Sequence, residues 1–225
     1  MKKYLLSVLA LGATMLMACE PANNDNNGGN GNTPEPEVVA DYNLTDEAVE
    51  VILESYGDIY QVGFNDYNLT VGVVVIDEAT RLPSIKMLFV EYMTELSNKT
   101  GEGVFGPAGI NWETGEGLAA NTYIDAAEIE GEIAGSGYIE MNMATEEYTV
   151  YDGIVSGDLT VKKEGENYVI KGLFTTLKGK TLKVDYTGAA TFDDYSNVGG
   201  ASTLSVKKQF DYTKHFSSVA KFFKK

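Results

Sequence analysis

The chain has 225 residues, with 33 acidic against 17 basic side chains and a formal net charge of −16. This length is sufficient for one sizeable hydrophobic core in a single domain. An acidic body repels phosphate backbones, so the composition argues against nucleic acid as a partner, and a well-solvated surface accounts for the excess of acids.

The N-terminal segment has the features of an export signal. Lys2 and Lys3 precede the apolar stretch 4–18, which is too short and wrongly flanked for a transmembrane helix. The small residue Ala18 precedes Cys19, the only cysteine of the chain. These residues together resemble a bacterial lipoprotein signal, which implies cleavage between Ala18 and Cys19 and acylation of Cys19. An ordinary secretory signal with a chance cysteine is the weaker alternative, because no better cleavage site follows.

The predicted anchor restricts the chemistry of the mature chain. An acylated Cys19 has no thiol left for disulfide, metal or nucleophilic chemistry, and His215 is the only histidine. We therefore expect no metal site and no cofactor other than the covalent lipid. Each buried methylene of an acyl chain contributes about 0.8 kcal/mol, so the lipid attaches the protein to the membrane without a spanning helix.

The chain is predicted to have three parts. Residues 1–18 form the signal peptide, and residues 19–40 contain the lipidated cysteine and a tether rich in Asn, Gly and Pro. The tether has too few apolar side chains to offset its ordering entropy, so it is expected to be flexible and disordered. Residues 41–225 form a single β domain that ends in a basic tail. This tail carries six lysines: Lys207, Lys208, Lys214, Lys221, Lys224 and Lys225.

Alternating apolar and polar residues predict strands throughout the domain. The pattern is clearest over residues 67–75, and it recurs near 139–143, 159–162 and 182–186. The polar partner in each pair predicts an antiparallel sheet that is exposed to water on one side. The more apolar stretch 85–96 is predicted to be a central strand.

Turn signals complete the predicted architecture. Glycines at 165 and 179 separate three strands over residues 153–192, which predicts a meander. Residues 45–56 fit either a short helix or a strand, and the following turns favour the strand. Helical spacing over 216–223 predicts a terminal helical turn, and dense glycines over 98–122 predict loops around short strands. The fold class is therefore all-β: an antiparallel sandwich or flattened barrel of roughly eight to eleven strands.

Several segments resemble Bacteroides-type envelope lipoproteins with an all-β domain. Apart from the signal and tether, the likeness is carried by glycine- and tyrosine-rich segments at 56–58, 135–139, 157–161 and 186–188. The resemblance implies an outer-membrane, lipid-anchored protein of unassigned function. The acidic cluster that such proteins carry after the cysteine when they are exported to the surface is thin here, with only Glu20 and Asp25. The choice between the surface and the periplasmic face is therefore open.

Candidate catalytic residues are few. His215 lies in the basic tail and is interpreted as a surface residue. Paired carboxylates are the remaining catalytic class, and a glycosidase would need two of them facing each other across a cleft. The candidates are Asp77 with Glu78, Asp125 with Glu128, Glu146 with Glu147, and Asp193 with Asp194. No pair is assigned a catalytic role, and residues 193–200 are interpreted as a polar turn rather than a calcium loop.

A binding role rests on aromatic residues. Trp112 lies in the glycine-rich region beside Asn111, with Tyr123 nearby, and an aromatic ring flanked by amides can hold a sugar ring. Alternatively, Trp112 closes one end of the core. The sequence therefore favours a non-enzymatic binding module for a glycan, peptide or small ligand. The alternatives are a structural or accessory envelope lipoprotein and, least favoured, a carboxylate-dependent glycosidase.

Overall fold

The computed structural model describes residues 39–45, 48–78 and 80–196. Its described part is all-β, as predicted. The thirteen strands are β1 Tyr42–Leu44, β2 Glu50–Gly57, β3 Phe64–Ile76, β4 Pro83–Glu95, β5 Gly103–Pro107, β6 Thr122–Tyr123, β7 Ala127–Ile129, β8 Glu132–Ala134, β9 Gly137–Asn142, β10 Tyr148–Glu164, β11 Asn167–Thr176, β12 Thr181–Gly188 and β13 Thr191–Asp194.

Several predicted features lie outside the described residues. They are the signal peptide, Ala18 and Cys19, nearly all of the tether, the terminal helical turn, His215 and the basic tail.

The predicted meander is confirmed as β10, β11 and β12, and the ambiguous segment 45–56 forms strand β2 over most of its length. The predicted turn glycines Gly165 and Gly179 have φ of 65° and 70°, the left-handed region that a tight turn requires.

The strands form a closed barrel with extra strands on either side. Strands β4, β9, β10, β5 and β6 pair in a ring, because the two halves of the long β10 pair with different neighbours. Strands β3, β2 and β13 extend from β4, and β11, β12 and β1 extend from β10. Residues of both extensions contribute to the main core. The predicted all-β sandwich or barrel is therefore confirmed, in the form of a closed five-stranded barrel with extra strands.

The main core lies between these layers. Strand β3 contributes alternate residues, with Tyr67, Leu69 and Val71 all buried there, as its period of two predicts. The β3–β4 hairpin is in continuous register from Phe64 opposite Glu95 to Ile76 opposite Pro83. The hairpin is therefore an uninterrupted two-stranded sheet with two side-chain faces.

The second face of this hairpin is not simply exposed to water, contrary to the prediction. Two smaller apolar clusters cover parts of it. One comprises Ile85, Met87, Phe89, Ile139 and Met141; the other comprises Met93, Ile110 and Ile124 with Tyr60, Phe64, Ala108, Trp112 and Leu118 against it. The residue Thr70 on this face is only 1% exposed. Loops and the hairpin β7–β8 add cover that period-two alternation cannot reveal.

Candidate functional site

A line of polar side chains crosses the outer face of four neighbouring strands. Asp193 of β13 pairs with Glu54 of β2, which pairs with Asn68 of β3, which in turn pairs with Glu91 of β4. Paired residues of neighbouring strands point to the same side of a sheet. We call these four residues the polar row. Asp66 lies two positions from Asn68 along β3 and therefore shares its face.

The centre of the polar row is deeply buried. Glu91 is 5% exposed, Asn68 is 9% exposed and the neighbouring Asp66 is 1% exposed. Burial of a carboxyl group disfavours its charged form, because water no longer solvates the charge. The site therefore combines strong desolvation with a high density of oxygen atoms.

The barrel holds Glu91 firmly in place. Its backbone N–H donates to the Ser136 hydroxyl oxygen at 3.2 Å, and its carbonyl oxygen accepts from the Ile124 N–H at 2.8 Å. The Ser136 N–H in turn donates to the Ile124 carbonyl oxygen at 2.9 Å. The segments before β7 and after β8 thus tie β4 into the ring and fix the position of the Glu91 side chain.

The carboxyl groups of Asp66 and Glu91 form an interacting pair. Burial, followed by the nearby charge of Glu91 and a hydrogen bond to it, raises the pKa of Asp66 well above its usual range. Burial raises the pKa of Glu91 to about 7, while hydrogen bonds from Tyr60 and Asp66 hold it lower than burial alone would. Asp66 is therefore the protonated partner that donates, and Glu91 is the acceptor.

The loop after β2 supplies a further donor to this pair. The Tyr60 hydroxyl donates to Glu91 Oε1. The loop is shaped by Asp58, whose carboxylate accepts from the N–H groups of Val62 at 2.8 Å and Gly63 at 2.9 Å. The Asp58 carboxylate thereby organises the loop that carries Tyr60.

Two oxygen atoms of the site have no hydrogen-bond partner. They are Oδ1 of Asp66 and Oδ1 of Asn68, both buried. Buried polar atoms are paired in the great majority of cases, and leaving one unpaired costs about 1–3 kcal/mol. Both atoms are free acceptors in the middle of the sheet.

The rim of the site is half-exposed and aromatic. Burial raises the pKa of Glu54, although a hydrogen bond from Tyr56 opposes that shift. The ring of Tyr56 stacks on Tyr195, just after β13, with 5.4 Å between centroids. The rim therefore offers an ionisable group and two ring faces beside the buried centre.

The structure separates the three residues that the sequence suggested for ligand binding. The Asn111 Oδ1 atom accepts from the N–H groups of Glu113 and Thr114, which shapes its own turn. Trp112 packs against the apolar cluster around Met93, whereas Tyr123 lies in the main core with no exposure. Trp112 and Tyr123 thus do not share one surface, and sugar binding by these residues stays a prediction.

The suggested carboxylate pairs are scattered. Asp77 and Glu78 lie in the β3–β4 turn, and Glu146 with Glu147 lie in the exposed turn between β9 and β10. The half-buried Asp125 accepts from the Gly109 N–H at 2.8 Å, whereas Glu128 is exposed on β7. Among these residues only Asp193 belongs to the polar row. Residues 197–200 of the proposed polar turn lie outside the described part.

Sequence reasoning missed the centre of the site. None of Glu54, Asp66, Asn68 and Glu91 was among the residues that the sequence suggested for a site. One signal was present: Glu91 is the one acid in the run 87–93 of strand β4, which is otherwise apolar. A lone acid in such a run is either paired or functional.

The described part of the chain also lacks two features. It contains no cluster of three or more His, Cys, Asp or Glu side chains arranged to hold a metal ion. It likewise contains no helix of the length and apolar character needed to span a membrane.

Comparison with known proteins gave no matching family model, no similar curated protein and no similar solved structure.

Proposed function

We propose that this protein is a lipid-anchored binding module of the bacterial cell envelope, and that the polar row with Asp66 is its ligand site. The anchor part of the proposal rests on the sequence of the signal ending at Cys19. The site part rests on one observation: the unpaired Oδ1 atoms of Asp66 and Asn68, which are buried on strand β3.

Unpaired buried acceptors favour a binding role over a purely structural one. An apolar side chain of similar size at Asn68 would avoid the desolvation penalty altogether. A ligand that donates hydrogen bonds to these oxygens would remove this penalty when it binds. The gain adds to the affinity, and a ligand without such donors would not obtain it.

The geometry favours binding over glycoside hydrolysis. A glycosidase separates its two carboxyl groups by about 5–9.5 Å, so that a sugar and in some cases a water fit between them. The hydrogen bond between Asp66 and Glu91 brings these groups closer than that. An accessory envelope lipoprotein without a small ligand is the second candidate, and the exposed ion pair of Lys171 on β11 with Asp185 on β12 suits such a surface.

The binding proposal is tested with the detergent-solubilised lipoprotein on glycan and peptide arrays. The comparison uses the wild type, Asn68→Leu, and Glu166→Gln as a control in the exposed turn between β10 and β11. We expect wild type and Glu166→Gln to bind the same compounds on the arrays. Asn68→Leu should bind those compounds at least about tenfold more weakly.

Two other results would contradict the proposal. Array binding that survives Asn68→Leu would put the ligand elsewhere on the molecule. An absence of array binding, together with destabilisation by Asn68→Leu, would favour the accessory role.

A further inference from the structure

We propose that the loop 58–63 between β2 and β3 is a lid over the buried carboxyl groups of Asp66 and Glu91, and that this lid opens when Glu91 loses its proton. The inference rests on the proposed function where it treats the covered residues as part of a ligand site. The motion of the lid itself is measured without a ligand, so the two proposals can fail separately.

Tyr60 connects the lid to the centre of the site. Its hydroxyl donates to Glu91 Oε1, and its ring packs against the apolar cluster of Met93, Ile110 and Ile124. Glu91 is 5% exposed, whereas Tyr60 is half-buried. Because Tyr60 reaches the surface and also contacts a carboxyl group that is almost closed to water, it forms part of the cover over Glu91. Movement of the lid away from β4 would therefore admit water to this carboxyl group.

Several contacts that shape the lid lie within the lid itself. The Asp58 carboxylate accepts from the N–H groups of Val62 and Gly63, and the Gln61 N–H donates to the Asp58 carbonyl oxygen at 3.2 Å. Gly63, at the end next to β3, has a φ of 85°, and a Cβ added there would have nothing within 4 Å of it. The loop can therefore move as one piece, with the Tyr60 hydrogen bond as a contact that has to break.

The ionisable side chains that act on the Asp66–Glu91 pair within the described part of the chain are Tyr60 of the lid and Glu54 of β2. In the segment after β6, the Asp125 carboxylate is bound to the Gly109 N–H at 2.8 Å. Before β9, the Ser136 hydroxyl oxygen accepts from the Glu91 N–H. Burial, then the charge of Glu91 and a hydrogen bond to it, raise the pKa of Asp66 well above its usual range. Asp66 therefore keeps its proton while Glu91 titrates.

Opening of the lid changes the proton affinity of Glu91 in two opposite ways. Burial raises the pKa of Glu91 to about 7 in the closed form, and entry of water would lower that pKa. The hydrogen bond from Tyr60 lowers the pKa, so its loss would raise it. Because burial is the larger cause, the open form has the lower pKa and binds fewer protons. Opening therefore increases as the pH rises towards 7 and is constant at higher pH.

The lid controls access to the two unpaired oxygens of the site. Asn68 is the cross-strand partner of Glu91, and Asp66 is hydrogen-bonded to Glu91, so both lie beside the carboxyl group that the lid covers. An open lid exposes the Oδ1 atoms of both residues to a ligand. We therefore expect a ligand to enter and leave faster at neutral than at acidic pH.

The test measures lid opening with a thiol placed under the lid. Met93 is fully buried and shares the outer face of β4 with Glu91, so Met93→Cys puts a thiol beside the Tyr60 contact. Its reaction with methyl methanethiosulfonate is followed between pH 5 and pH 8, and peptide mass spectrometry locates the label. Division by the rate of the exposed variant Glu166→Cys at each pH removes the titration of the thiol and gives the opening constant.

We expect the opening constant of Met93→Cys to rise at least about tenfold from pH 5 to pH 8. Adding Glu91→Gln should keep it constant within about twofold over this range. Adding Tyr60→Phe should raise it at least about fivefold at pH 8 and less at pH 5, because a hydroxyl bonds more strongly to a carboxylate than to a neutral carboxyl group. Tyr138→Phe is the matched control, since it loses a hydroxyl that donates to Glu140 at 2.7 Å outside the lid, and it should follow the parent variant.

Three results would overturn the lid: an opening constant that does not rise with pH, a rise that persists in Glu91→Gln, or no effect of Tyr60→Phe. Acceleration of labelling by at least about fivefold in about 1 M urea would also overturn it, because such sensitivity indicates global unfolding rather than local opening. Array binding that depends on Asn68 would then still uphold the proposed function. Lid opening as expected, without any array binding, would contradict the ligand site alone.

Discussion

Asn68 is the side chain on which the energetics of the site depend most clearly. It lies at the centre of a long strand, is 9% exposed, and its Oδ1 atom has no partner. Its side chain has the same branched heavy-atom skeleton as leucine, so a substitution can remove the polar atom without leaving a cavity.

We expect Asn68→Leu to raise the free energy of unfolding by about 1–3 kcal/mol, because it removes a buried unpaired acceptor. Urea denaturation measures this change. The matched control is Asn111→Leu, in which the lost Oδ1 accepts two backbone hydrogen bonds. That control should lower stability by about 1 kcal/mol. A lower stability for Asn68→Leu than for wild type would argue against a binding site at this position.

Glu91 gives the stability of the protein a distinctive dependence on pH. Its pKa rises from 4.5 to about 7 on folding, so the folded state binds more protons than the unfolded state between these values. The contribution of Glu91 to the free energy of unfolding is therefore greatest below about pH 4.5. It falls as the pH rises from 4.5 to about 7 and is constant at higher pH. Each unit of pH across this window lowers the free energy of unfolding by up to about 1.4 kcal/mol.

Glu91→Gln should flatten this dependence. Urea midpoints measured between pH 5 and pH 8 are expected to fall less steeply in the variant than in wild type, and Glu166→Gln should follow wild type. Equal slopes for Glu91→Gln and wild type would show that Glu91 titrates at an ordinary pKa.

At the level of elements, the long strand β10 makes the barrel possible. Its first half pairs with β9 and its second half with β11 and β5, and the register shifts between Ile154 and Ser156. Gly157 follows this shift with a φ of 113°. A bulge of this kind bends the strand, so one element can belong to both layers.

We expect Gly157→Ala to destabilise the fold by about 3 kcal/mol or more, because its Cβ would lie 2.1 Å from the Leu173 carbonyl oxygen. The matched control is Gly165→Ala, which also has a positive φ but has nothing within 4 Å of the added carbon. It should lose only about 1 kcal/mol. Thermal denaturation of both variants checks the difference, and similar losses would mean that strain, rather than contact with β11, limits position 157.

At the level of the whole molecule, the described strands form one β domain, whereas the predicted membrane anchor is a lipidated residue in the N-terminal segment. Its proposed attachment point, Cys19, lies outside the described residues. The predicted linkage to the membrane is a covalent lipid.

We expect Cys19→Ser to move the protein out of the detergent phase in Triton X-114 partitioning, because an acyl chain supplies about 0.8 kcal/mol for each buried methylene. The retained signal peptide, visible as a larger mass, is a second expected result. A correctly processed Cys19→Ser protein that still partitions into detergent would rule out lipidation at this residue. Protease treatment of intact and lysed cells then assigns the wild-type domain to the cell surface or to the periplasmic face.

Local patterns in the sequence determined the all-β class and which residues of β3 point into the core. They also determined the meander β10–β12 and its glycine turns. These features depend on side-chain alternation and on φ preferences, which act between near neighbours in the chain. The covered second face of β3 and β4 was not predicted, because the residues that cover it come from distant loops.

Only the tertiary structure brought Glu54, Asn68 and Glu91 into one line, because this depends on the register of three strands. Each of these residues is unremarkable in an acidic, polar sequence when taken alone. Strand pairing and the loops that cover this face together bury these residues. This burial raises the pKa values of Glu54 and Glu91 and leaves the Asn68 Oδ1 atom unpaired. The sequence thus specified the framework, and long-range pairing decided where its unusual chemistry lies.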